Sequence, residues 1–159
     1  MKNIQRHRYK DKKIFETRTL SFDAYSYSEI DLVIGLIQDN LTPDLLKGRK
    51  SLMYHSDVLT NKYYGHCYHS SQALYYLMDT DKLVSMSGED YRGEKHWWLQ
   101  HGDNIYDCTA EQYLDKGKLP PYNLGKKSKW YGWKQRPQQI SLDLMVRVLG
   151  YDNVQDSAL

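Results

Sequence analysis

The chain has 159 residues, enough for one domain with a hydrophobic core and too few for two of ordinary size. Hydrophobic residues make up 40% and charged residues 26%, which excludes wholesale disorder and a collagen-like or coiled-coil chain. The longest aliphatic run, Leu32 to Ile37, is far below the roughly 20 apolar residues of a bilayer span, so no membrane partner is expected.

The net charge of +2 conceals an uneven distribution. Residues 1–20 carry seven Lys or Arg against two acids, and residues 116–136 carry seven against none, while residues 21–115 hold seven against fifteen. Two basic segments around an acidic middle suggest a polarised surface field and an anionic partner, or simply solvated faces. Tyrosine is abundant, at 15 residues against two Phe, which suits half-buried and contact positions. The basic start is not followed by an apolar stretch, so no secretory signal is expected. The cytoplasm is then the expected location, with Cys67 and Cys108 as free thiols.

In chain order, residues 1–20 read as a basic N-terminal extension, with the first dozen on the surface or disordered and a short extended segment over Ile14–Phe22. Residues 21–159 read as a single α+β domain. Ser26 and Glu29 have capping-box spacing, and Ile30, Val33, Ile34 and Ile37 follow at helical intervals, which predicts a helix to about Asp39. Asn40 and Pro43 end it, and a small helix or turn follows around Leu45 and Leu46. Gly65 then precedes a stripe of Ala73, Leu74, Leu77 and Met78, which places Cys67 in the first turn of a second helix. Lys82–Met86 suggests a strand and Gly88–Gly93 a polar loop. Lys95–Gln100 and Ile105–Cys108 flank His101-Gly102-Asp103-Asn104 as a hairpin. Thr109 and Gln112 again have capping-box spacing, residues 116–136 are irregular, and a last helix runs from a Ser141 cap to a Gly150 stop.

A thiol nucleophile needs a base to generate the thiolate, an orienter for that base, and a positive local potential. Cys67 at a helix start meets the last requirement through unsatisfied N–H groups and the macrodipole. His96 opens the first hairpin strand and Asp107 ends the second. A turn at Gly102-Asp103, or a four-residue one over 101–104, puts His96 diagonal to Asp107; a turn at His101-Gly102 puts them directly opposite. Either way they share a face, where Asp107 can fix the imidazole tautomer as in a triad. The same alternation turns Cys108 to the opposite face, toward the core.

The segments GHCYHSSQALYYLM and EKHWWLQHGDNIYDCTAEQY resemble the core of the papain-like and transglutaminase-like thiol enzymes. Those families, including arylamine N-acetyltransferases and peptide N-glycanases, share the order of Cys at a helix start, His on a strand, and Asp on the next. GHCY, HWWL and DxTxxQ, with a later PY…G segment, are similar to small bacteriophage proteins. The resemblance covers about residues 45–149 and departs in the short Cys67–His96 spacing of 29 residues. It implies a cysteine-bearing helix packed on a small antiparallel sheet, and a thiol-dependent amide or acyl hydrolase or acyltransferase acting like a protease, amidase or deamidase. Cys67 would attack an acyl carbon of a peptide, amide or other acyl substrate, with His96 moving the proton and Asp107 orienting His96. No cofactor is needed, and a phage protein would work in the host cytoplasm. For the oxyanion the Cys67 N–H is the default donor, with Asn61 and Gln112 as candidate side-chain amides. Trp97, Lys127, Trp130 and Trp133 are candidate substrate contacts.

Two other readings compete. Cys67, Cys108, His66, His69, His96 and His101 supply zinc-type ligands, but no C-x-x-C, H-E-x-x-H or deaminase spacing is present, so no metal is expected. GKKSKWYGWKQR interleaves Lys126, Lys127, Lys129, Lys134 and Arg136 with Trp130, Tyr131 and Trp133. That composition suits nucleic-acid or nucleotide binding, or inhibition of a host enzyme by a phage protein. Equally, the segment could recognise an anionic or nucleotide-bearing substrate of a thiol enzyme.

Overall fold

The segment that carries Cys67 is helical, built on the buried stripe of Ala73, Leu74, Leu77 and Met78. In the computed structural model, which describes residues 2–7, 17–47, 49, 52, 55–131, 137–150 and 155–158, helix α3 spans Cys67–Met78. Earlier elements are strands β1 (Lys2–His7) and β2 (Thr17–Phe22) and helices α1 (Ile30–Asp39) and α2 (Ser56–Thr60). Nine of the twelve α3 residues are buried. Ala73, Leu74 and Leu77 are fully enclosed, and each leucine contributes roughly 2 kcal/mol by leaving water. The helix stops at Asp79, which takes a left-handed conformation (φ 44°) and returns its N–H to Tyr75 O at 3.3 Å.

One side of α3 lies on a four-stranded antiparallel sheet in the order β5-β4-β3-β6, where β3 is Val84–Glu89, β4 Lys95–His101, β5 Asn104–Tyr106 and β6 Lys126–Lys127. The Ser71 hydroxyl donates to Trp97 O at 3.1 Å and ties helix to strand. β4 is the covered strand: His96, Trp97, Trp98 and Leu99 are all buried, which accounts for its unbroken aromatic and aliphatic run. The last helix, α5 (Gln139–Leu149), packs on the other side of α3, and α1 completes the helical layer through Val33 and Ile37. Between β5 and β6 lie helix α4 (Glu111–Leu114) and a 3-10 turn at Tyr122–Leu124. A second sheet pairs β1, β2 and β7 (Gln155–Ala158) antiparallel in the order β1-β2-β7.

The architecture is α+β, with the expected helix from Ile30 to Asp39 and a capping box formed by Ser26 and Glu29 at the 3-10 turn before it. Several boundaries differ from expectation. Lys2–His7 forms a strand where a surface or disordered stretch was expected, because it finds β2 as a partner. β3 continues to Glu89, two residues into the predicted Gly88–Gly93 loop, because Gly88 is paired with His96 and lies against Pro121 and Trp98. Ser141 is not the cap of α5. The helix starts at Gln139 with Gln138 as N-cap, and the buried Ser141 hydroxyl donates to Gln72 Oε1 at 2.7 Å. Thr109 does not cap α4, whose N-cap is Ala110; its hydroxyl accepts from Gln112 Nε2 instead.

Candidate active site

The hairpin register decides whether His96 and Asp107 can meet. Leu99 pairs with Tyr106, Gln100 with Ile105 and His101 with Asn104, leaving Gly102-Asp103 as the two-residue turn. This is the diagonal arrangement, with Asp107 just beyond the end of β5 and on the His96 and Trp98 face. Gly102 has φ 58°, as a tight hairpin turn of this kind demands.

His96 Nε2 donates to Asp107 Oδ2 at 2.6 Å, with both side chains buried (0% and 3% exposed). The carboxylate is held from both sides. Tyr122 Oη donates to the same Oδ2 at 2.8 Å, and Thr109 N donates to Oδ1 at 3.0 Å. The imidazole is clamped between an edge-on Tyr113 ring at 4.8 Å and a stacked Trp98 ring at 5.7 Å. Burial by itself disfavours the imidazolium, but the charge and hydrogen bond of Asp107, with Cys67 adding to them, outweigh it and push His96 up to about 10. Nδ1 is buried without a hydrogen bond of ordinary geometry, and with Nε2 engaged by Asp107 it is the nitrogen left for the Cys67 thiol.

Cys67 is half-buried at the first position of α3, its sulfur 3.9 Å from Lys95 O. The helix start has no side-chain cap and no acidic residue in its first turn. Its first helical hydrogen bond is Ser70 N to His66 O, so the N–H groups of Cys67, Tyr68 and His69 have no acceptor within the helix. These groups and the helix dipole favour negative charge beside the sulfur. The arrangement thus sets a thiol at an uncapped helix start beside a buried His96–Asp107 pair, with the first-turn N–H groups unpaired within the helix. Cys108 lies on the opposite face, fully buried in the core, where burial first and then Asp107 and Glu111 push its thiol up.

The other candidates fall elsewhere. Asn61 is buried and tied to the protein, with Nδ2 donating to Asp115 at 3.3 Å and Oδ1 accepting from Tyr63 N at 2.9 Å. The Gln112 amide is buried and engaged by Thr109 at 3.2 Å. Trp97 points away from His96, 2% exposed, stacked on Trp130 and edge-on to Tyr68. Trp130 is 6% exposed and belongs to the core, so it offers no free face for a base or substrate. Lys127 is exposed on β6 opposite Met86, and Trp133 lies outside the described residues. His66 and His69 form a buried pair at 2.6 Å. Burial lowers both, His66 to about 4, so they are neutral near pH 7. Among the described residues no group of three or more His, Cys, Asp or Glu is placed to hold a metal. No helix among them is long and apolar enough to cross a membrane.

Two tyrosines were not foreseen as part of the site. Tyr122 supports Asp107, and Tyr113 connects His96 to Asp90 through a 2.9 Å hydrogen bond. Asp90 in turn is paired with Arg92 at 3.0 Å. The sequence signal for both tyrosines was the surplus of that residue, and for Tyr122 also its place in the PY…G segment. Comparison with known proteins adds nothing to the geometry: no family model, curated protein or solved structure matches the chain.

Proposed function

We propose that this chain is a thiol-dependent amide or acyl hydrolase or acyltransferase of papain-like or transglutaminase-like type. The observation that carries the reading is the buried 2.6 Å His96–Asp107 pair set beside a cysteine at an uncapped helix start. In the first step Cys67 Sγ, its proton passed to His96 Nδ1, bonds to the acyl carbon of a peptide or other amide, and the carbonyl electrons move to oxygen, facing the first-turn N–H groups. Collapse re-forms the carbonyl and breaks the C–N bond; His96 gives its proton to the leaving amine. A thioester on Cys67 remains. Water, deprotonated by His96, then attacks the thioester, the C–S bond breaks with its electrons on sulfur, and the acid leaves with Cys67 and the protonated His96 restored; an amine in place of water makes the reaction a transfer. Asp107 holds the imidazole with Nδ1 toward sulfur throughout. Free thiols at Cys67 and Cys108 suit a reducing cytoplasm, including that of a phage host.

The test uses p-nitrophenyl acetate as an activated acyl donor. A burst of nitrophenolate with an acetyl group on Cys67 by mass spectrometry, abolished in Cys67→Ser and slowed in His96→Ala, is the expected result. Acetylation of Cys67 no faster than of an unfolded thiol would reject the enzyme reading.

A further inference from the structure

Lys95 precedes His96 on β4, and its backbone lies against the candidate nucleophile. Its carbonyl oxygen is the 3.9 Å neighbour of Cys67 Sγ, and its exposed side chain carries Nζ to 5.7 Å from the Trp97 ring centroid and 5.6 Å from that of Tyr131. Tyr131 is 48% exposed, and it stacks at 4.8 Å on Tyr68, the residue after Cys67. The Tyr131 N–H also donates to the Tyr68 hydroxyl at 2.7 Å, so the ring under the ammonium is tied to the first turn of α3. The neighbouring acids do not neutralise Lys95. The Glu94 carboxylate accepts from Tyr64 Oη at 3.2 Å and pairs with Arg92 at 3.3 Å, and Glu89, opposite Lys95 in the β3–β4 ladder, makes no ion pair with it.

We propose that Lys95, steadied over Trp97 and Tyr131, is a recognition subsite for a carboxylate on the acyl substrate, joined to the first turn of α3 through the stack of Tyr131 on Tyr68. The inference rests on the thiol-enzyme reading and names its substrate class: acyl compounds that carry a carboxylate close to the reacting carbonyl. A single ammonium on an aromatic support matches a monovalent carboxylate better than a phosphate dianion, which calls for several donors or a guanidinium fork. Aromatic faces beneath the ammonium limit its freedom and so reduce the ordering cost of binding.

Two alkylating reagents of nearly equal size test this without knowledge of the substrate. Iodoacetate and iodoacetamide both form a bond from Cys67 Sγ to carbon as iodide leaves; only iodoacetate brings a carboxylate. The ratio of their rates at Cys67, iodoacetate over iodoacetamide, is expected to fall about fivefold in Lys95→Gln and further in Lys95→Glu, as for one unit charge acting across a partly solvated site. Lys95→Arg, which keeps the charge, should retain most of the wild-type ratio, and added salt should lower that ratio. A ratio that is the same in wild type, Lys95→Gln and Lys95→Glu, with circular dichroism unchanged, would overturn the subsite. That outcome is distinct from failure of the thiol-enzyme reading, in which both reagents label wild-type Cys67 slowly and without dependence on His96.

Discussion

Replacing Asp107 by asparagine changes one atom and removes one charge, yet it should disturb both the stability and the chemistry of this site. Asp107 Oδ2 accepts from His96 and Tyr122, and Oδ1 accepts from Thr109. The amide of Asp107→Asn must therefore turn its NH2 either toward Thr109 N–H, donor against donor, or toward His96. In the second case Nε2 must become an acceptor, and the ring's proton moves to Nδ1, the wrong tautomer for accepting a proton from sulfur. His96 sits at about 10, against an ordinary value near 6.5. The stabilisation this represents is fully present below about pH 6.5 and is lost as pH rises through about 10. Because the pair is wholly buried, its loss should cost about 3–5 kcal/mol near pH 7, the usual cost of breaking a buried ion pair on one side. Urea unfolding from pH 7 to 10.5 measures it: wild type should lose stability progressively over that range, and Asp107→Asn should start lower with a flatter profile. Acylation by p-nitrophenyl acetate should fall on the order of 10³–10⁴-fold, as tautomer errors do in triads. Equal stability and parallel pH profiles in the two proteins would refute the buried charge pair.

Further outcomes follow from the packing around the site. His66 is lowered to about 4 by burial, so its neutral form is native and stability should fall as pH drops from about 6.5 toward 4, by about 3 kcal/mol at most. Urea midpoints of His66→Gln should show a shallower acid slope, and an unchanged slope would contradict the assignment. A Cβ at Gly125 would collide with the Trp98 ring that stacks on His96, whereas one at Gly35, in α1, meets nothing within 4 Å. Gly125→Ala should thus destabilise by roughly 1–3 kcal/mol and Gly35→Ala stabilise by about 0.5–1 kcal/mol. Denaturant unfolding should rank the two variants on opposite sides of wild type.

Local patterns in the sequence carried the parts of the site that depend on local rules. A two-residue Gly102-Asp103 turn fixes the hairpin register, and the period-2 alternation then puts His96 and Asp107 on one face and Cys108 on the other. The helical stripe after Gly65 placed Cys67 at a helix start for the same kind of reason. What was hidden depends on partners far away in the chain. Ser141 has the composition of a cap, but Gln72, on another helix, draws its hydroxyl inward. Trp130 sits in a lysine-rich stretch with the look of a binding segment, and Trp97 and Tyr68 take its ring into the core. Tyr122 follows two prolines in an irregular loop, and nothing local indicates that its hydroxyl reaches Asp107.

The central claim is that His96 activates Cys67, and the pH dependence of iodoacetamide alkylation at Cys67 in the folded protein, followed by mass spectrometry, tests it most directly. Labelling that stays fast well below pH 8 and slows by an order of magnitude or more in His96→Ala is the predicted result, since a cationic imidazole beside sulfur favours the reactive thiolate. Labelling that titrates like a free thiol, with a rate indifferent to the loss of His96, would contradict it.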